Sequence, residues 1–168
     1  MERFDASRGD RPAGDAGEVE GTRRVLIVDD DPALRILVRQ VLGRRNGWEV
    51  VGEAGDGWTA VEIVESLSPD VILLDLVMEG PGDEVLPPLL RLAPRCMVAV
   101  LSGLDGQEQR DRLLRLGAFS YYPKSQVLEL PDLLEADYDR FRRALTGEDI
   151  VLPWVGQPIA SQPTTTER

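Results

Sequence analysis

Three aspartates, a serine and a lysine, each at the end of an apolar run, are the residues best placed to do chemistry. Val71-Ile72-Leu73-Leu74 is four aliphatic residues in a row, and Asp75 follows at once. Val25-Leu26-Ile27-Val28 repeats the pattern and ends in Asp29-Asp30-Asp31. Met97-Val98-Ala99-Val100-Leu101 ends in Ser102-Gly103, and the aromatic stretch Phe119-Ser120-Tyr121-Tyr122 leads through Pro123 to Lys124. Runs this short and apolar suit strands of a parallel sheet covered by helices on both faces. In such sheets ligands gather at the carboxyl ends of the strands, so these polar groups should converge on one edge.

Carboxylates crowded at one edge repel unless a cation joins them. Oxygen ligands with no histidine or cysteine beside them favour magnesium, which keeps waters in its shell for an incoming phosphate. A lysine and a hydroxyl opposite are what a transferring phosphoryl group needs, because its stabilisation is mostly electrostatic. An aspartate can itself be the nucleophile, giving an aspartyl phosphate. Taken singly, the residues have plainer readings. Asp31 before Pro32 is better explained as a helix N-cap, Ser102 reads equally as a turn residue or a phosphate contact, and Lys124 alone reads as a solvated surface charge. Their joint order along one sheet is the specific signal.

The stretches between the runs supply the helices. Leu34, Leu37, Val38, Val41 and Leu42 recur at helical spacing, and stop signals fall from Gly43 to Gly47. Residues 49–54 predict a less apolar strand nearer the sheet edge, and Trp58, Val61, Ile63, Val64 and Leu67 predict the next helix, closed by Ser68-Pro69. After Asp75 comes a Gly- and Pro-rich loop at 79–83, then a helix over Val85 to Leu92 whose start Pro87 and Pro88 can shift. Residues 107–116 predict an exposed helix, and 127–145 a last one that Pro131 interrupts or delays. Five alternations of strand and helix predict an α/β fold with right-handed crossovers.

Composition narrows the functions. The chain has 168 residues, 42% of them hydrophobic, enough for one domain with a core. A net charge of −11 argues against non-specific nucleic-acid binding. Histidine is absent, which removes His-based triads and His-ligated zinc. Cys96 is alone, so no intramolecular disulfide forms, and beside Met97 it reads as a small core residue. No segment is long and apolar enough to span a membrane, and the N-terminus lacks a signal-peptide pattern, so a cytoplasmic protein is expected. Residues 1–22 hold few aliphatics and are expected to stay disordered.

The combination Val-Leu-Ile-Val-Asp29-Asp30-Asp-Pro, Pro-Asp-Val-Ile-Leu-Leu-Asp75-Leu-Val-Met, Val-Leu-Ser102-Gly and Gly-Ala-Phe-Ser-Tyr121-Tyr-Pro-Lys124 resembles the receiver domain of two-component response regulators. The resemblance covers about residues 23–145, and a receiver domain is expected over 23–146. It implies a flavodoxin-like doubly wound sheet of five parallel strands in the order 2-1-3-4-5, with helices on both faces. It implies Asp75 as phosphoacceptor, with Mg2+ held by Asp30 directly, Asp29 largely through water, Asp75, and the backbone carbonyl of Val77. Ser102 and Lys124 would hold phosphoryl oxygens, and Ser102 and Tyr121 would form the switch. Such a protein is not a classical enzyme, although it catalyses its own phosphotransfer and dephosphorylation. The implied donor is a histidine kinase or phosphotransfer protein. With no histidine, this chain cannot be that donor. The sequence departs from the family pattern at Glu79-Gly80, at Pro123 before the lysine, and at Ser125 after it.

Beyond Leu145 about 23 residues follow (168 − 145), rich in Pro, Thr and Gln. Residues 147–168 therefore read as a linker-like tail with no effector domain, and Trp154 and Val155 could fold back or meet a partner. The expected output is contact with a downstream protein, with a homodimer also open and no nucleic acid bound by this chain. Two other readings stand beside it: a phosphorylation-independent receiver-like interaction module, and a Mg2+-dependent aspartyl-phosphate hydrolase built on Asp29-Asp30-Asp31. The hydrolase would need a second acidic pair at a strand end. Asp132, Asp137 and Asp139 fall in helix-like sequence instead.

Overall fold

A computed structural model of the chain describes residues 21–78, 84–103 and 107–147. Five parallel strands form one sheet in the order β2-β1-β3-β4-β5. They are β1 (Arg23–Val28), β2 (Trp48–Ala54), β3 (Val71–Leu74), β4 (Met97–Ser102) and β5 (Ser120–Pro123). The helices are α1 (Pro32–Leu42), α2 (Gly57–Leu67), α3 (Leu86–Leu92), α4 (Gln107–Leu116) and α5 (Leu130–Thr146), with a 3-10 segment over Lys124–Glu129 before the last. The flavodoxin-like order and the doubly wound architecture agree with the sequence reading.

β3 lies at the centre because every residue of it is buried. Its neighbours are β1, with Leu26 beside Ile72, and β4, with Leu73 beside Ala99. On one face Val25, Ile27, Leu73 and Leu101 pack with Val38 and Leu42 of α1 and Leu134 and Phe141 of α5. On the other, Leu26, Val28, Ile72 and Leu74 pack with Val64 of α2, Leu89 of α3 and Leu113 of α4. Truncating one such leucine, Leu73→Ala, removes packing worth about 2–5 kcal/mol. The strand that places Asp75 is thus held by strands on both edges and by helices on both faces.

The turns also follow local chemistry. Asp31 Oδ1 accepts from the Ala33 backbone N–H at 2.8 Å, with Pro32 opening α1, so this acid is a cap. Asp56 caps α2 in the same way, accepting from the Thr59 N–H at 2.8 Å. β2 is an edge strand, as its lower apolar content predicts, and it begins at Trp48. Pro87 and Pro88 sit at the start of α3, which begins at Leu86 and is short. The expected last helix from Val127 divides in two: a 3-10 segment, then α5 from Leu130 with Pro131 in its first turn. Proline is tolerated there because the first helical N–H groups have no partner within the helix.

Candidate functional site

The carboxyl ends of β1, β3 and β5 bring the site together. Asp29 directly follows β1 and Asp75 directly follows β3, and both are almost wholly buried, at 3% and 1% exposed. Lys124 follows β5, and its Nζ lies 2.6 Å from Asp75 Oδ2 and 2.8 Å from Asp29 Oδ2. One ammonium thus bridges two carboxylates on neighbouring strands. Asp30 is exposed, and carboxylate oxygens of Asp29, Asp30 and Asp75 all lie within 4.8 Å of one another. Pro123, where the sequence departs from the family pattern, keeps an extended backbone (φ −69, ψ 142), and the lysine still reaches Asp75. Glu79 and Gly80, the other departure, lie outside the described residues, as do residues 1–20 and 148–168.

Backbone geometry fixes each acid. Asp29 Oδ1 accepts from the Asp31 N–H at 2.8 Å, and Asp75 Oδ1 accepts from the Val77 N–H at 3.0 Å. Each carboxylate therefore has one oxygen held by main chain and the other turned toward Lys124. Arg35 of α1 braces the β1 end, donating to the Asp29 carbonyl at 2.6 Å and pairing with Glu53 at 3.1 Å. Ser102 ends β4, fully buried, in register with Pro123. Tyr121 is buried among the residues of the α2–α3–α4 face and pairs in register with Val100.

Electrostatics at this edge is unbalanced. Burial pushes the Asp29 carboxyl above its usual range, with the nearby Asp75 charge adding to the rise, against lowering by Lys124 and the Asp31 N–H. For Lys124 burial favours loss of the proton, but bonds to Asp29 and Asp75 outweigh it and raise its pKa. The lysine stays charged. Three carboxylates against one ammonium still leave two negative charges to balance.

A divalent metal would balance them, and the residues fit one. Asp29 Oδ2 is buried and makes no hydrogen bond of good geometry, although the Lys124 ammonium lies close enough for an ion pair. An under-satisfied buried oxygen beside two other carboxylates is a hard-ligand set of the kind magnesium takes. Asp31, by contrast, is occupied as a helix cap. Asp132, Asp137 and Asp139 lie on α5 and not at a strand end. The second acidic pair that the hydrolase reading needs is therefore not supplied by those three residues.

One group escaped the sequence reading. Asp137 of α5 is buried and accepts from the hydroxyls of Ser120 and Tyr122 on β5 and from Arg140. Its signal was positional. Asp137 lies three residues after Leu134 and four before Phe141, within the stripe that α5 turns to the sheet.

Comparison with known proteins bears on this arrangement. Residues 25–136 match the response regulator receiver domain. The nitrate/nitrite response regulator protein NarL of Escherichia coli (strain K12) is 34% identical over 145 residues, 86% of this chain and 66% of NarL. Response regulator GacA of Pseudomonas aeruginosa is 31% identical over 138 residues, 82% of this chain and 62% of GacA. The chain thus spans just under two thirds of the length of these relatives. Among solved structures, the response regulator domain of Thermotoga maritima CheB has a TM-score of 0.64 at 30% identity, covering 72% of this chain and 97% of that one. A LuxR-family two-component response regulator from Aurantimonas sp. SI85-9A1 has a TM-score of 0.67 at 29% identity, covering 71% and 87%. From the family match and these likenesses, the chain belongs to the response regulator receiver domains of two-component systems.

Proposed function

We propose that this chain accepts a phosphoryl group on Asp75 from the phosphohistidine of a histidine kinase or phosphotransfer protein. In that step an Asp75 carboxylate oxygen attacks phosphorus, the P–N bond breaks, and its electron pair returns to the donor imidazole. Later a water attacks phosphorus, the P–O bond to Asp75 breaks, and inorganic phosphate leaves. The observation that carries the reading is Lys124 Nζ lying 2.6 Å from Asp75 Oδ2 with two further carboxylates alongside. A buried nucleophile already paired to a cation is preorganised for a transferring phosphoryl group.

Asp29, Asp30, Asp75 and the Val77 carbonyl would hold Mg2+, which when bound neutralises charge on the phosphoryl oxygens. Lys124 would move from the free carboxylate to a phosphoryl oxygen. Ser102, at the end of β4, would donate its hydroxyl to another. Ser102 and Tyr121 together form the proposed switch, since a group drawn to the phosphoryl pulls on the β4 end beside which Tyr121 packs. Output then passes through protein contacts to a downstream partner. Residues 23–146 would form the working domain. Among the described residues no helix is long and apolar enough to cross a membrane.

The other surviving reading is a receiver-like module that works without phosphorylation. Retention of the Lys124–Asp75 pair despite Pro123 favours the phosphorylated form. Magnesium with beryllium fluoride, a mimic of the aspartyl phosphate, discriminates. The proposal expects saturable binding and a shifted tyrosine and tryptophan spectrum, lost in Asp75→Asn. An unchanged spectrum and no binding by the intact chain contradict it.

A further inference from the structure

β5 carries both Tyr121 and, one residue past its end, Lys124, yet it is an edge strand of the sheet and among the described residues pairs with β4 alone. Its outer face borders an open cleft of about 620 Å³ whose lining includes Gln107 and Arg110 of α4 and Asp137 and Arg140 of α5. Something besides the β4 ladder must therefore hold the strand in place. Alternation along β5 puts Tyr121 on the α2–α3–α4 face and Tyr122 on the α1–α5 face. Ser120, two residues before Tyr122, shares its side.

Both of these buried hydroxyls end on one atom. Ser120 Oγ and Tyr122 Oη donate to Asp137 Oδ2, the latter at 2.5 Å, while Arg140 pairs with Oδ1. Asp137 is only 7% exposed. A carboxylate is costly to bury unless its oxygens are filled, and an apolar side chain at this stripe position would pack against the sheet without that cost. What the acid adds is direction. Two hydrogen bonds to strand positions on either side of Tyr121 fix the strand along its length, which apolar packing does not do. Burial pushes the Tyr122 hydroxyl up to about 12, against lowering by Ser120 and Arg140, so it remains a donor. The ring of Pro123 then passes the fixed backbone to Lys124 with little slack.

We infer that Asp137 is a positioning residue for the phosphoryl site: through Ser120 and Tyr122 it clips β5 to α5 and so sets where Lys124 stands over Asp75. This inference rests on the proposed function and extends it to a residue far from the acids. The loss of the clip loosens the strand, and Lys124 meets the phosphoryl oxygens less often.

The test uses the full chain with magnesium and beryllium fluoride, affinity being read by calorimetry and stability by thermal melting. Asp137→Asn and Tyr122→Phe should each weaken beryllium fluoride binding by roughly tenfold, the low end of what loss of a supporting hydrogen-bond partner costs a bound site. The double variant should bind no worse than the weaker single one, because both act through one bond. If Asp137→Asn does not fold, Tyr122→Phe and Ser120→Ala give the same readout. Variants that melt lower but bind within twofold of wild type make Asp137 merely structural and overturn the inference. Losses that multiply in the double variant overturn it too. Failure of the wild-type chain to bind beryllium fluoride removes the functional reading and this inference together, whereas wild-type binding with unaffected variants removes the inference alone.

Discussion

Replacing Lys124 by methionine keeps the length of the side chain and removes its charge. The ammonium bridges Asp29 and Asp75 at 2.8 and 2.6 Å, and both acids are buried. Removing one partner of a buried ion pair costs about 3–5 kcal/mol, because a charge is left without compensation. The Lys124 side chain is 26% exposed, so water shares the screening and the low end, about 3 kcal/mol, applies. For a domain of this size that is a fall in Tm of roughly 10 °C. The deficit should shrink toward acid pH. Burial already raises the Asp29 carboxyl, and a proton there can stand in for the missing ammonium. Magnesium should shrink it as well: a ligand at a hundred times its Kd adds about 2.7 kcal/mol to the folded state. The variant, having lost its internal cation, should therefore gain more than wild type. Thermal melts in chelator and in magnesium, at neutral and acid pH, measure all of this. Equal Tm values for variant and wild type in chelator would refute the reasoning, as would a gap that magnesium leaves unchanged.

Four further outcomes follow from the packing and the charges. For Glu53 burial alone would raise the carboxyl, but its bonds to Arg39 and Arg35 win and hold it below its ordinary 4.5. Its stabilisation is present above that value and lost as pH falls through the lower folded one, so the stability gap between wild type and Glu53→Gln should close across that range in acid denaturation curves. Tyr122, held up at about 12 against an ordinary 10.0, has the opposite sign. Its contribution is full below about 10 and lost as pH rises to about 12, and Tyr122→Phe should flatten that alkaline limb of chemical denaturation. A Cβ at Gly57 would lie 2.6 Å from one methyl of Val85 and 2.7 Å from the other. Gly57→Ala should cost about 1–3 kcal/mol by urea unfolding. Gly52→Ala should cost less, because the obstructing atom is the far end of the Leu67 side chain.

The centre of the sheet was legible because β1 and β3 carry short, continuous apolar runs followed directly by acids. Val25–Val28 and Val71–Leu74 allow no amphipathic reading, and burial of all eight residues explains why. The polar groups at their ends followed from topology, since parallel strands put all their carboxyl termini at one edge. Less was legible where a residue's role depends on its facing neighbour. The 3-10 segment from Lys124 to Glu129 has no periodicity to distinguish it from the start of α5. Asp137 reads as one more solvated acid in a charged helix, and only its place in the Leu134–Phe141 stripe hints that it faces the sheet. That Ser120 and Tyr122 meet it is a property of the folded pairing of β5 with α5. Arg35 is similar: as a surface arginine of α1 it is unremarkable, yet it braces the Asp29 carbonyl.

The measurement closest to the central claim is mass spectrometry of the intact chain after incubation with acetyl phosphate and magnesium, followed by peptide mapping with wild type and Asp75→Asn side by side. Wild type should gain one acid-stable, alkali-labile phosphoryl group on the peptide containing Asp75, and Asp75→Asn should gain none there. A wild-type chain that stays unmodified, or a phosphoryl group that persists unchanged in Asp75→Asn, would contradict the assignment of Asp75 as the acceptor.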